Sequence, residues 1–248
     1  MKLTKYGKPQ WLTATIVLLA VLLLSIPLFR YQPLAGGTLA VLAVVVWFAF
    51  VAFFRDPYRV IRADVTELVS AADGTVRDIE LIPAASCENP ALKELFGNQD
   101  ILCIGIFLSV LDVHINRVPC DVRITHKAYK EGAFHDARDG RASKENESML
   151  IGGIGKIGDK EFPIAVRQIS GAIARRIVCP IEVGTELAKG EQYGMIKFGS
   201  RTEVYLPAKG GFTPLVSVGQ KVAGGVTILA EFREKTDTTI SNLPSDAA

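Results

Sequence analysis

The hydrophobic pattern divides the chain sharply. Trp11–Phe29 (WLTATIVLLAVLLLSIPLF) is 19 residues without a charge, and Leu34–Phe54 (LAGGTLAVLAVVVWFAFVAFF) is 21. As helices they would be about 28 and 31 Å long, enough to cross a hydrocarbon core of about 30 Å. Only Arg30-Tyr31-Gln32-Pro33 separates them, which predicts a tight helical hairpin. Pro27 falls near the end of the first span, and Trp11, Tyr31 and the aromatics of Trp47–Phe54 suit the interfaces. The alternative is a signal peptide followed by one anchor. The first run exceeds the usual signal core, and no small-residue cleavage site precedes the second. Residues 1–55, with spans 11–29 and 34–54, are therefore expected to form a membrane anchor. Residues 56–248 are expected to form a domain with its own core.

Beyond Asp56 the period changes. Alternating or β-branched runs predict strands at Glu67–Ser70, Gly74–Ile79, Ile101–Leu108, Val122–Lys127, Pro163–Ser170, Ile177–Cys179, Gly194–Lys197, Glu203–Leu206 and Thr227–Phe232. Asn89–Phe96 predicts a short helix with Asn89 as N-cap and Pro90 in its first turn. Residues 171–176 (GAIARR) read as helix or connection. Ile181–Ile196 and Val216–Glu231 share an apolar-x-Val-Gly-x-x-apolar-Ala-x-Gly skeleton at a 35-residue offset, each a strand, a glycine turn and a strand. The pattern resembles the half-barrel hairpins of lipoyl and biotinyl carriers, without their modifiable lysine. The expected fold is mainly β with few helices, built on lipoyl-like hairpin pseudo-repeats behind a transmembrane helical hairpin. The polar tail from Thr236 is expected to fray.

Composition sharpens this picture. Apolar residues make up 49% and charged ones 22%, which excludes a disordered chain. With 28 Lys+Arg against 26 Asp+Glu, the net charge of +2 speaks against a nucleic-acid partner. Lys2, Lys5 and Lys8 precede the first span, Arg55, Arg59 and Arg62 follow the second, and Arg30 alone lies between. The positive-inside rule puts both ends in the cytoplasm. The four cysteines show no paired spacing and no histidine partners for zinc, so no metal is expected and the thiols read as reduced.

Candidate chemistry is sparse. His114 stands in FLSVLDVHINRVP (Phe107–Pro119), where a strand would put Asp112, His114 and Asn116 on one face as an acid–base group. Asp73-Gly74 reads as a turn that could also carry a catalytic carboxylate. Gly199-Ser200, between two strand-like runs, reads either as a tight turn or as a self-cleavage site. In the latter, the serine hydroxyl attacks the carbonyl before it, and glycine leaves that carbonyl unshielded.

Six segments in order, FFRDPYR (Phe53–Arg59), SAADGTV (Ser70–Val76), FLSVLDVHINRVP, KENES (Lys144–Ser148), ISGAIARRIV (Ile169–Val178) and GMIKFGSRTEVYLP (Gly194–Pro207), resemble the short form of the phosphatidylserine decarboxylase family. The resemblance covers nearly all of the chain after the anchor. It implies a zymogen that cuts itself between Gly199 and Ser200 into a β chain (1–199) and an α chain (200–248) that stay together. Ser200 becomes a covalent pyruvoyl cofactor, which forms a Schiff base with phosphatidylserine in the membrane and releases phosphatidylethanolamine. It implies a cell-membrane location with the catalytic domain on the cytoplasmic side. Asp73 would orient a histidine. His114 matches the first histidine of a D-Y-H-R-x-H segment in longer members, and Arg117 stands where they carry the second. Either His114 serves both processing and decarboxylation, or another group serves processing, with Asp112 in reserve. Arg117, Arg175 and Arg176 are either surface charges or a site for the lipid's anionic groups. The competing functions are an archaetidylserine decarboxylase, a non-enzymatic membrane-anchored β module, and a pyruvoyl enzyme for a soluble amino acid, which the two spans disfavour.

Overall fold

The structure, a computed structural model, describes residues 2–137, 139–172, 176–197 and 200–233. Two long helices open it, α1 (Lys8–Tyr31) and α2 (Pro33–Phe53). Only Gln32 lies between them, fewer residues than the expected four, because Pro33 occupies the first helical turn, where no N–H is needed. They pack along each other, and Trp47 Nε1 donates to Thr15 Oγ1 at 3.1 Å. Both are long and apolar enough to cross a membrane, and side chains such as Leu23 and Leu24 face outward.

The hairpin is tied at its base. Leu3 bridges Arg55 antiparallel, Thr4 N–H donates to the Phe54 carbonyl at 2.9 Å, and Asp56 N–H donates to the Lys2 carbonyl at 2.8 Å. Both ends therefore emerge together beside the β domain. Tyr6, Phe53 and Phe54 are buried there with Met195. The foot of the hairpin thus shares a small core with residues well beyond Asp56.

The β domain contains β1 (Glu67–Val69), β2 (Gly74–Ile82), helix α3 (Pro90–Phe96), β3 (Ile101–Leu108), β4 (Ile115–Arg117), β5 (Asp121–Lys130), helix α4 (Ala142–Glu145), β6 (Ser148–Ile157), β7 (Lys160–Ile169), β8 (Ile177–Val178), β9 (Glu186–Leu187), β10 (Gln192–Ile196), β11 (Ser200–Pro207), β12 (Phe212–Pro214), β13 (Lys221–Val222) and β14 (Ile228–Phe232). Eight form one antiparallel sheet in the order β13-β2-β3-β11-β7-β6-β5-β9. Two three-stranded sheets, β1-β14-β12 and β4-β10-β8, complete the β structure among the described residues. Asn89 caps α3 as expected, accepting from Ala91 N–H at 3.0 Å. The apolar side of α3 covers one face of the large sheet through Leu92, Phe96, Cys103 and Tyr205. The other face carries the main core, including Val76, Ile104, Ile106, Val166, Val204 and Leu206.

The pseudo-repeat is real and symmetric. β9 joins one edge of the large sheet through β5, and β13 joins the opposite edge through β2. After its turn, each copy continues into the central strand of a small sheet, β10 or β14. Positive φ recurs at equivalent glycines, 92° and 90° at Gly184 and Gly219, 76° and 73° at Gly190 and Gly225. A side chain would be strained at each. The four cysteines are free thiols.

Candidate active site

β11 lies at the heart of the large sheet, with Ser200 opposite Leu108 of β3 and Arg201 opposite Ile169 of β7. Alternation puts Ser200, Thr202, Val204 and Leu206 on the main-core face. Ser200 is fully buried, and its hydroxyl has no hydrogen-bond partner among the described residues. The buried hydroxyls of Ser170, which follows the end of β7, and of Tyr193 likewise have none among the described residues. A buried polar atom left unpaired costs about 1–3 kcal/mol and calls for a reason. Gly199 and Arg175 lie outside the described residues.

A buried polar chain links this face to the sheet above it. Asn116 of β4 donates to Thr202 Oγ1 at 2.9 Å and accepts from Gln168 Nε2 of β7 at 2.8 Å. His114 leads into β4, and its carbonyl accepts from Ile196 N–H at 3.2 Å, so it extends the β4–β10 ladder. His114 Nδ1 lies 2.9 Å from the Asp112 carbonyl oxygen. A carbonyl only accepts, so Nδ1 carries the proton and Nε2 the lone pair of the neutral ring. Burial pushes the His114 pKa down to about 4, against weaker opposing effects of Asp112, which keeps the ring neutral at pH 7. The ring of Phe53, the last residue of α2, lies 4.5 Å away, centroid to centroid.

The other expected groups are arranged differently. Residues 109–114 form a turn rather than a strand, and the Asp112 carboxylate accepts from both Ser109 N–H and Ser109 Oγ at 2.8 Å. It caps that turn instead of sharing a strand face with His114. Asp73 Oδ1 accepts from Gly224 N–H at 2.8 Å, and Oδ2 from Arg59 at 2.7 Å. Burial raises its pKa, and both partners oppose the rise. Its carboxylate therefore joins the SAADGTV turn to the second repeat and to the segment after α2. Arg117 is largely buried, donates to the Gly190 carbonyl at 2.8 Å and lies 3.9 Å from Asp56. Arg176 is exposed, and its carbonyl accepts from Lys197 N–H at 3.2 Å. Asn146 of KENES is fully buried and clamps the loop before it, donating to the His135 and Ser170 carbonyls at 2.8 Å. No group of His, Cys, Asp and Glu among the described residues is suited to a metal.

Sequence reading missed the charges on the opposite face of β11. Arg201 forks onto Asp78 of β2 with two contacts of 2.6 Å and meets Glu203 at 2.8 Å. Arg167 lies 3.6 Å from Glu203, which also accepts from Tyr205 and from Ser143. Gly105 of β3 makes room for the fork, since a Cβ there would fall 2.3 Å from Arg201 Nη2. Lys197, three residues before Ser200, is buried as well, and burial lowers its pKa.

Comparison with known proteins places the chain among its relatives. The chain is 43% identical over 210 residues to the phosphatidylserine decarboxylase proenzyme of Trichlorobacter lovleyi, covering 85% of each chain. It is 41% identical to the proenzyme of Cereibacter sphaeroides, over 81% of this chain and 80% of that one. It is 41% identical to that of Carboxydothermus hydrogenoformans, over 77% and 84%. The sequence pattern of the family matches residues 48–230, beginning inside α2 and running through the orphaned serine to β14, so the chain belongs to the phosphatidylserine decarboxylase family.

Proposed function

We propose that this chain is a membrane-anchored proenzyme that cuts itself between Gly199 and Ser200 and then decarboxylates phosphatidylserine to phosphatidylethanolamine. The relatives' shared name supports the substrate and the zymogen character. The observation that carries the chemistry is the Ser200 hydroxyl, buried and unpartnered at the start of a central strand. In processing, His114 Nε2 takes the Ser200 proton as Oγ adds to the Gly199 carbonyl. The amide nitrogen leaves as an amine, giving an ester. Loss of the Ser200 α-proton expels the Gly199 carboxylate and leaves a dehydroalanine. Water then replaces its nitrogen as ammonia departs, leaving a pyruvoyl group at the new N-terminus.

A pyruvoyl group there would supply, once condensed with the serine amine with loss of water, an electron sink for the pair left by departing carbon dioxide. His114 suits proton exchange beside it. A neutral imidazole accepts readily, and one with a low pKa donates strongly once protonated. Phe53 and the buried strands around Ser200 exclude water. The Asp73–Arg59 pair holds the second repeat against the segment leaving the membrane. Both fragments would remain one heterodimer, because β11 is paired on both sides. The lysine and arginine distribution favours the cytoplasmic face of the cell membrane for the β domain.

Intact mass analysis of the purified protein tests the reading. Fragments 1–199 and 200–248, the latter bearing a pyruvoyl terminus, are expected. Full-length chain alone, in a preparation that decarboxylates phosphatidylserine, would overturn it.

A further inference from the structure

A second polar site lies where the hairpin meets the β domain. A cavity of about 570 Å³ opens there, lined by Lys2, Arg55, Asp56, Arg59, Arg117 and Gln192 among others. Four cations face one carboxylate. Asp56 is buried, accepts from Gln192 Nε2 at 2.9 Å, and lies 3.4 Å from Lys2 and 3.9 Å from Arg117. Arg59 is matched by Asp73. Even with Asp73 counted, positive charge exceeds negative by two. Like charges gathered in a concave site raise the local potential and favour an anion. Two of the lining groups are also held in place. Arg55 donates to the Leu111 carbonyl at 2.5 Å and Arg117 to the Gly190 carbonyl at 2.8 Å, so less side-chain freedom is lost on binding.

Position selects the anion. Arg55 follows α2 by two residues, at the depth where a bilayer carries its phosphates. We infer that this cavity binds the phosphodiester of a membrane glycerophospholipid and seats the β domain on the bilayer surface. Arg117 and Arg55 supply forked donors suited to phosphate oxygens, and Lys2 supplies a mobile charge at the rim. Asp56 keeps the cations apart and holds Gln192 in place. Ser200 is not among the lining residues, so binding here needs none of the chemistry proposed for it.

The test therefore uses the full chain carrying Ser200→Ala, which can do none of the proposed chemistry. Native mass spectrometry in detergent measures retention of added phosphatidylglycerol, with diacylglycerol of the same chains as control. Retention of phosphatidylglycerol at least 10-fold above diacylglycerol is expected, about the value of one charge-assisted hydrogen bond. Arg55→Gln with Arg117→Gln should abolish the preference. Lys2→Gln, at a side chain 78% exposed that cannot unfold the domain, should weaken it severalfold. Equal retention of both lipids, or an undiminished preference in both variants, would overturn the inference. Displacement of phosphatidylglycerol by millimolar inorganic phosphate would overturn the lipid assignment in favour of a free-phosphate site.

Discussion

The ring of Phe53 lies 4.5 Å from that of His114, so the last turn of the second apolar helix forms one wall around the histidine. Deleting residues 1–54 would remove that wall together with Tyr6 and Phe54. We predict that the truncated chain processes poorly even in detergent, where a tether has no task. Normal cleavage of the truncated chain, read on a gel, would sink this.

The same contact sets a pH dependence. His114 works as a base when neutral, and burial holds its pKa near 4 rather than 6.5. Processing should be flat from pH 8 to about 5 and fall as pH approaches 4. Phe53→Ala admits water, raises the pKa toward 6.5 and moves the acid limb up by as much as two pH units. Stability follows the same sign. The folded chain takes up this proton later than the unfolded one, so the contribution is complete above 6.5 and lost as pH falls toward 4. An acid limb that stays put in Phe53→Ala would remove His114 as the base.

Ser200→Ala should leave only full-length chain with no lipid turnover, since alanine offers no attacking oxygen. Two fragments from that variant would relocate the cut.

His114 and Asp73 should separate. General base assistance is worth about 10²–10⁴-fold, so His114→Ala should remain almost uncut while the parent matures. Asp73 bonds Arg59 and Gly224. Asp73→Asn and Arg59→Gln should therefore show the same smaller slowing. A severe defect in Asp73→Asn beside a normal Arg59→Gln would mean that the carboxylate acts through the histidine after all.

Asp78→Ala should destabilise the chain by about 3 kcal/mol, because it removes one partner of a buried Arg201. The measurement is urea unfolding of the Ser200→Ala protein. An unchanged midpoint would assign the fork no structural role.

Much of this architecture can be read locally. Charge-free runs of 19 and 21 residues announce the hairpin, and Ile101–Leu108 is a strand by pattern and in fact. β6 escapes because Gly152, Gly153 and Gly155 look like breakers, whereas a Cβ on Gly153 would fall 2.0 Å from the Arg123 carbonyl oxygen. β4 is three residues long, too short for any periodicity. Ser200 and His114 can be picked out as candidates from their segments. The partners of Asp73 and Arg201 are not, since they depend on which strands the sheet brings together. Asp112 misleads because two-residue spacing implies a shared face only in extended chain, and there the backbone turns.

A cut after Gly199 would have a thermodynamic consequence set by sheet order. It would fall at the end of β11, whose eight residues pair with β3 on one side and five of which pair with β7 on the other. The short fragment could not slip out without tearing both ladders. Once separated, however, the pieces would have to find each other by diffusion. The uncut chain closes this sheet as an intramolecular event, independent of concentration. The mature protein would refold only as a bimolecular reaction, its recovery falling on dilution. Maturation would then convert a reversible folder into an assembly that depends on never coming apart.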